Sequence, residues 1–444
     1  MLKEDKTVGV VGLGYVGLTL ATVLAEVGFR VIGIEKRSDV VEKTNLGQPH
    51  FAETGLQEAL SRVVGSGALQ ARLSFEPSAS CDVYIITVGT PLNADGTARL
   101  DMIEAASRQV AENMQDGALV ILRSTVKIGT ARSVVVPILR SSGKKFDIAM
   151  CPERTLEGKA LQELRELPQI VGADEQLVCD RASTIFRCLT NSIVQVSSLE
   201  SAEIIKLVDN TYRDVQFAFA NEVARLCEIF DVNAHEVIAS GKLGYQRTNV
   251  PFPGLVGGPC LEKDPHIMAQ SARDRGIDLE ITRAGRLVNE RQPKETMKFI
   301  VGQMKNRGMG TGIKAALLGM AFKGVPATDD LRGSMSLKVL SMLKELRPDI
   351  EVHAFDPVIS NENLSSYVPD VVVSSSLEEA VCGASVVIIA NNHPVFGEHS
   401  PVALCEMMAA GGFVYDYWNH FSNLSRMELG DSYFAVGNTR KAKA

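Results

Sequence analysis

Short apolar runs alternate with helix-patterned stretches along the chain as far as Ser198. Val8–Gly12, Val31–Glu35, Val83–Val88, Leu119–Arg123, Ile148–Cys151 and Ile193–Val196 have the length and β-branched content of strands. Between them, Met102–Met114 and Ala131–Leu139 carry helical spacing. This rhythm predicts an α/β fold with a mostly parallel, doubly wound sheet. It stops at Leu199. From there to Phe230 the chain has neither Gly nor Pro, and Ile204, Leu207, Val208, Tyr212, Val215 and Phe219 recur at helical intervals. One long helix is expected. Glu280–Met304 reads as a second, with Pro293 as its expected kink. Between them, Gly241–Pro265 is rich in Gly and Pro and reads as loop. After Gly308-Met309-Gly310-Thr311-Gly312 the alternation returns. Ala315–Gly319, Glu351–Phe355, Ser385–Ala390 and Phe413–Tyr417 are expected strands; Leu337–Leu346 and Val402–Ala410 are expected helices. The tail Thr439–Ala444 is basic and expected to fray. The expected architecture is two Rossmann-like, doubly wound domains, 1–198 and 307–444, joined by a long-helix domain, 199–306.

A chain of 444 residues, 45% hydrophobic and 22% charged, suits a globular protein of two or three domains. Its net charge of −7 gives no general attraction for nucleic acid, so an anionic ligand needs a local basic pocket. The eight cysteines form no C-x-x-C pair, which argues against a zinc ribbon or disulfide framework and fits a reducing cytoplasm. Seven histidines without H-x-x-x-H spacing give no expectation of a metal site. Thr7–Ala25 is uncharged, which raises a membrane span or signal peptide. Its four glycines, its strand-like start and the strand that follows Glu26 favour a βαβ unit instead.

Gly12-Leu13-Gly14-Tyr15-Val16-Gly17 is G-x-G-x-x-G between an expected strand and a helix, with Glu35 ending the next strand. That context fits a dinucleotide: the glycines bring the pyrophosphate to the helix N-terminus, and the carboxylate suits ribose hydroxyls. Glu35 favours NAD over NADP, although Lys36 and Arg37 could accept a phosphate. Thr90 and Thr125 follow strand ends, where hydroxyls could meet ribose, phosphate or a catalytic water, or simply cap helices. Glu153 and Glu157 follow another strand end and could serve as a base or remain surface carboxylates. Lys206 and Asn210 lie four apart on one face of the long helix, where the ammonium could stabilise an oxyanion or merely face solvent. Gly257-Gly258-Pro259-Cys260-Leu261-Glu262-Lys263-Asp264-Pro265 holds a thiol between glycines and an aspartate. A thiol so placed can attack a carbonyl; elsewhere it would be an inert core residue.

In this order, and with Leu318–Lys323 and Asp329–Arg332, these motifs resemble the UDP-glucose/GDP-mannose dehydrogenase family over nearly the whole chain. The resemblance implies a four-electron, NAD-dependent oxidation of a nucleotide sugar at C6, alcohol to carboxylate. It implies Cys260 as the nucleophile, with Lys206 and Asn210 stabilising the oxyanion. Glu157, Thr125 and Asp264 would handle the hydrolytic water. Gly12, Gly14, Tyr15, Val16, Gly17, Glu35, Thr90, Thr125 and Arg332 would bind NAD. Glu153, Leu156, Lys206, Asn210, Arg247, Gly257 and Lys323 would meet the substrate, Arg247 by reaching into a partner subunit's site across a dimer built on the long helix. The pattern Pro152-Glu153-Arg154, Gly158, Glu163-Leu164 and Asp264-Pro265 looks like the branch acting on UDP-N-acetylhexosamines, while Leu261-Glu262-Lys263 resembles the glucose branch. Pro259, and the lack of an arginine in Tyr415–Asn419, depart from the family pattern. The implied setting is polysaccharide biosynthesis in the cytoplasm, with a UDP-sugar as ligand and neither nucleic acid nor membrane as partner. The rivals are a UDP-glucose 6-dehydrogenase, a two-electron β-hydroxyacid dehydrogenase, which needs no Cys260 or third domain, and a non-catalytic sensor or scaffold, against which the intact Cys260, Lys206, Asn210 and Asp264 argue.

Overall fold

The computed structural model describes residues 7–76, 80–424 and 430–439, so the basic tail beyond Thr439 lies outside the described residues. The chain falls into two compact units: Met1–Asn210 with His266–Asp278, and Thr211–Pro265 with Leu279–Ala444.

The first unit is built on eight strands: β1 (Thr7–Val11), β2 (Arg30–Ile34), β3 (Leu69–Arg72), β4 (Val83–Ile86), β5 (Ala118–Leu122), β6 (Phe146–Met150), β7 (Gln169–Gly172) and β8 (Ile193–Val196). They lie in the order β3-β2-β1-β4-β5-β6-β7-β8. All neighbours are parallel except β6 and β7, which run antiparallel. Both faces are buried, which is why the strands read as continuous apolar runs. Val8, Val10, Val83, Ile85, Leu119 and Ile121 enter one core. Val11, Tyr84, Ile86, Val120 and Leu122 enter the other. Strand order reverses beside β1, between β2 and β4, and a crevice at the carboxyl ends there is the usual ligand position of such sheets. The expected strands lack β3 and β7, whose four-residue sequences LQAR and QIVG are too short to show a pattern. The expected helix Ala131–Leu139 is a π turn, Ala131–Val135, leading into an α-helix, Val136–Arg140. Pro137 offers no N–H to the α ladder, which accounts for the wider turn before it.

The second unit carries β9 (Lys314–Leu318), β10 (Glu351–Phe355), β11 (Val372–Val373), β12 (Val386–Ile389), β13 (Phe413–Asp416) and β14 (Tyr433–Ala435). Their order is β11-β10-β9-β12-β13-β14, parallel throughout. Ala316, Leu318, Val387 and Ile389 face one core. Ala315, Leu317, Val386 and Ile388 face another, which Met297, Ile300 and Met304 complete from the helix Glu280–Asn306. That helix runs through Pro293 as one span. The expected loop Gly241–Pro265 is not loop throughout. It holds one helical turn, Gly258–Leu261, and a further helix begins at Asp264.

The long helix spans Leu199–Ile229, 31 residues. Leu207 is buried, but Ile204, Val208, Tyr212, Phe219, Leu226 and Ile229 are exposed. No helix among the described residues is long and apolar enough to cross a membrane.

Candidate functional site

In the first unit, β1 ends in a turn whose first residue, Gly12, has φ +94° and donates its N–H to the Ile34 carbonyl at 2.7 Å. A side chain is disfavoured at that angle. Gly14 then caps the helix Tyr15–Glu26 without any side-chain hydrogen bond. A Cβ at Gly14 would meet nothing within 4 Å, whereas one at Gly17 would stand 1.8 Å from the Gly12 carbonyl oxygen. So Gly17 is fixed by packing, and Gly14 leaves the helix N-terminus bare. Glu35 closes the turn: its Oε2 accepts the Leu13 N–H at 3.0 Å and its Oε1 the Arg37 N–H at 3.1 Å. Arg37 itself forks onto Asp39 at 2.5 and 3.1 Å. That pairing offsets its charge beside Glu35. Tyr15 stacks on Phe51 with centroids 4.0 Å apart. A bare N-terminus followed by a carboxylate fits a dinucleotide: anionic phosphates at the first, ribose hydroxyls at the second.

Two further loops at this edge are tied together. The Thr90 hydroxyl donates to the Thr125 carbonyl, and Ser124 Oγ donates to Val88 O at 2.7 Å. Neither hydroxyl caps a helix in these bonds; each joins the β4 loop to the β5 loop. Arg123, buried, reaches Glu153 at 2.7 Å, Cys151 O at 3.0 Å and Gln169 Oε1 at 3.0 Å. Glu153 also accepts the N–H groups of Arg154 and Thr155 at 2.7 and 2.9 Å. Burial alone would raise its pKa, but the Arg123 charge and these hydrogen bonds prevail and hold the carboxyl below its ordinary range. Both oxygens are thus committed to shaping the Cys151–Gly158 segment. Leu156 gives its N–H to Glu163 at 2.7 Å, and Glu157 is half-buried on the same segment. Arg154 ties that segment to Asp209 of the long helix at 3.0 Å. Lys206 and Asn210, buried, lie on either side of Asp209 in the same helix.

In the second unit, Cys260 is exposed in the helical turn Gly258–Leu261. Gly258 has φ +90°, and a Cβ there would stand 2.4 Å from the Phe322 ring. Its N–H donates to Gly333 O at 2.8 Å. Glu262 and Lys338 pair at 2.6 Å. The turn therefore rests on the loop between β9 and the helix Met335–Leu346, which also carries Lys323 and Arg332. Lys323 Nζ lies 5.2 Å from the centroid of the Phe322 ring, and Arg332 forks onto Asp330 at 2.7 and 3.0 Å. Asp264 is fully buried and accepts from Lys263 at 2.6 Å. Arg247 lies exposed, its guanidinium 4.7 Å from the Tyr245 ring centroid, on the stretch after the helix Ala234–Lys242.

Sequence reasoning missed further groups that hold the cysteine turn and its flanks. Arg286 donates to Leu261 O at 2.7 Å, Val256 O at 3.2 Å and Asp214 Oδ1 at 2.7 Å. Asn289 donates to Asp214 O and Oδ1, both at 2.9 Å. Asn221 takes the Gly254 N–H at 3.0 Å and donates to Gly254 O at 3.1 Å. The available signal was a polar stripe, Arg286, Asn289, Gln292 and Thr296, at spacings of three and four within a helix.

The family model described as "UDP-glucose/GDP-mannose dehydrogenase family, NAD binding domain" matches residues 6–190, its central domain 200–291 and its UDP binding domain 316–423. A UDP-N-acetyl-D-mannosamine dehydrogenase of Pyrococcus horikoshii is 33% identical over 399 residues, 88% of this chain and 90% of that one. One of Campylobacter jejuni is 33% identical over 77% of this chain and 84% of that one. Among solved structures, a UDP-D-ManNAc dehydrogenase from Pyrococcus horikoshii matches with TM-score 0.87 at 30% identity, covering 97% of this chain and 99% of that one. A UDP-glucose dehydrogenase from Pyrobaculum islandicum matches with TM-score 0.87 at 27% identity, covering 98% and 99%. With all three family domains matched in order, this chain belongs to the UDP-glucose/GDP-mannose dehydrogenase family.

Proposed function

We propose that this protein oxidises a UDP-N-acetylhexosamine, UDP-N-acetylmannosamine first among them, at C6 to the uronic acid with NAD⁺. The observation that carries this reading is the exposed Cys260 thiol in a turn fixed by Gly258, within a chain of this family. The substrate is favoured by relatives 33% identical that carry the name UDP-N-acetyl-D-mannosamine dehydrogenase. UDP-glucose is the second reading, favoured by the Pyrobaculum islandicum likeness.

Bound NAD⁺ supplies the hydride acceptor, twice per sugar. The chain's own residues supply the rest. Gly12, Gly14, Tyr15, Val16 and Gly17 hold the pyrophosphate, Glu35 takes the adenosine ribose, and Thr90, Thr125 and Arg332 complete the cofactor's contacts. Glu35 would repel a 2′-phosphate, hence NAD over NADP. Loss of two hydrogens from the C6 alcohol gives an aldehyde. The Cys260 sulfur adds to that carbon, and the carbonyl oxygen becomes an oxyanion stabilised by Lys206 and Asn210. Loss of hydride from the thiohemiacetal leaves a thioester. Water, oriented by Glu157, Thr125 and Asp264, then cleaves the carbon–sulfur bond, releasing carboxylate and restoring the thiol. Leu156, Gly257 and Lys323 would position the sugar nucleotide, with Glu153 acting through the Cys151–Gly158 segment that it shapes.

The reading includes three domains, 1–198, 199–306 and 307–444, and a homodimer on the long helix. Support for the dimer is its exposed stripe, Ile204, Val208, Tyr212, Phe219, Leu226 and Ile229. Arg247 would serve the partner's substrate. Mixed dimers of Arg247→Ala with Cys260→Ala should then regain activity, and verified mixed dimers without it would place Arg247 elsewhere. The acidic sugar nucleotide produced would feed cytoplasmic polysaccharide synthesis. An NADH assay across UDP-sugars decides the main reading. Two NADH per UDP-N-acetylmannosamine support it. A much higher kcat/KM for UDP-glucose moves the substrate, and one NADH per sugar points to the two-electron class.

A further inference from the structure

We propose that Arg286 is a positioning residue for the Cys260 thiol, holding the backbone on both sides of it. This rests on the reading of Cys260 as the nucleophile. The segment Pro251–Lys263 contains three prolines, three glycines and a single helical turn, so little of its shape comes from its own backbone ladder. Beside the Gly258 bond to Gly333 O and the Glu262 pair with Lys338, side chains on the two long helices hold it. The Arg286 fork takes the carbonyl of Leu261, the residue after Cys260, with one nitrogen, and the carbonyl of Val256, four residues before it, with the other. Those two carbonyls bracket the turn. A planar fork fixes the separation and direction of two acceptors, which a lysine ammonium does not. Asp214, fully buried, balances the charge, and Asn289 holds Asp214 through both its side-chain and backbone oxygens. Asn221 clamps Gly254, further back, through N–H and C=O together. Between the two carbonyls that Arg286 holds, Cys260 itself is exposed.

Attack on an aldehyde demands a sulfur within about an ångström of its working place. Loosening Arg286 should therefore slow capture of the aldehyde while leaving binding of sugar and cofactor alone. The test uses the full chain with NAD⁺ and UDP-N-acetylmannosamine. Arg286→Met is expected to lower kcat about 100-fold with KM values within about threefold of the parent. Free aldehyde trapped by semicarbazide should rise, and NADH per sugar should fall from two toward one. Arg286→Lys keeps the charge opposite Asp214 but not the fork, so it should recover part of kcat. A purely structural role would lower Tm and the folded fraction while kcat per folded site and the NADH ratio stay at the parent values; that result overturns the proposal. Should Arg286→Met not fold, Arg286→Lys decides alone: about a tenfold loss of kcat with trapped aldehyde sustains the proposal, and parental kcat with no trapped aldehyde overturns it. Cys260→Ser separates the two claims. If it still makes uronic acid, the nucleophile reading fails. If it is inactive beside a fully active, folded Arg286→Lys, only the positioning role fails.

Discussion

The first strands of the two sheets end alike, and the chain then puts the two turns to different uses. After each comes a glycine whose N–H donates to the last carbonyl of the neighbouring strand: Gly12 to Ile34 at 2.7 Å, Gly319 to Phe355 at 2.8 Å. After each neighbouring strand comes an acid, Glu35 or Asp356, that accepts from the turn. Here they diverge. Glu35 is half-buried and gives one oxygen to each of two N–H groups. Asp356 is buried and takes four: Met320 at 2.8 Å, Ala321 and Val358 at 2.9 Å, and Ile359 at 3.0 Å. In the first sheet a helix starts at Tyr15, leaving its N-terminus beside the turn. In the second the helix starts only at Met335, and the intervening chain supports the cysteine turn. One scaffold thus yields a bare helix N-terminus where the turn is short and its acid has capacity to spare, and a mechanical brace where the turn is long and its acid is saturated.

If that contrast is right, damage to the two halves should look different. The largest effect belongs to the thiol. Cys260→Ser should lower steady-state NADH production by roughly 10³-fold or more, because a neutral hydroxyl is a poor nucleophile. Calorimetry should still detect substrate binding, and near-parental uronic acid formation would remove the covalent route. Next comes the saturated acid. Asp356→Ala strands buried N–H groups and should cost about 3 kcal/mol or more, seen as a lower urea midpoint. An unchanged midpoint would mean that the second turn is no brace. Glu35→Gln should do the reverse: stability within about 1 kcal/mol of the parent, because an amide oxygen can still accept from Leu13, and a several-fold narrower preference for NAD⁺ over NADP⁺. Equal use of both cofactors by the parent would assign the ribose site to Lys36 or Arg37.

The effect spread most gradually, over several pH units, sharpens the picture of the first unit. Glu203, buried, accepts the N–H groups of Gly129 and Ala131 at 2.5 and 2.9 Å. Burial outweighs those bonds and pushes its pKa up to about 7. A carboxyl raised on folding binds its proton more tightly in the native state. Stability then falls as pH rises from the unfolded value, near 4.5, through about 7. The change is on the order of 3 kcal/mol at most. Denaturation midpoints between pH 5 and pH 8 should show that slope, and Glu203→Gln should flatten it. A slope equal to the parent's would put its origin in another group.

Much of this was readable beforehand because it is local. The strands of both sheets' centres announce themselves as apolar runs, and the Gly12–Gly17 turn and Glu35 sit at fixed offsets from them. The short strands β3, β7, β11 and β14 did not. β11 has two residues and β14 three, too few for a period. The cysteine was visible, but its support was not. Arg286 meets Leu261 and Val256 through tertiary contact between separate elements, and no spacing in the sequence encodes which carbonyl a distant guanidinium will find. Glu153 shows the same gap. In the sequence it reads as a base or a surface carboxylate; in the structure it is buried and paired with Arg123, which no spacing announces.

The contact between Gly258 and Phe322 bears on attempts to build chimeras. Gly308–Gly312 is an inviting junction at which to graft a relative's nucleotide-sugar domain. Yet the graft would arrive with its own residue in place of Phe322, its own carbonyl in place of that of Gly333 and its own partner for Glu262, all of which support the turn bearing Cys260. Exchanging residues 313–439 alone would therefore disturb the cysteine turn as well as the sheet. A workable exchange must take Gly254–Asp264 along with the sheet, so that the unit of inheritance is the brace together with what it braces.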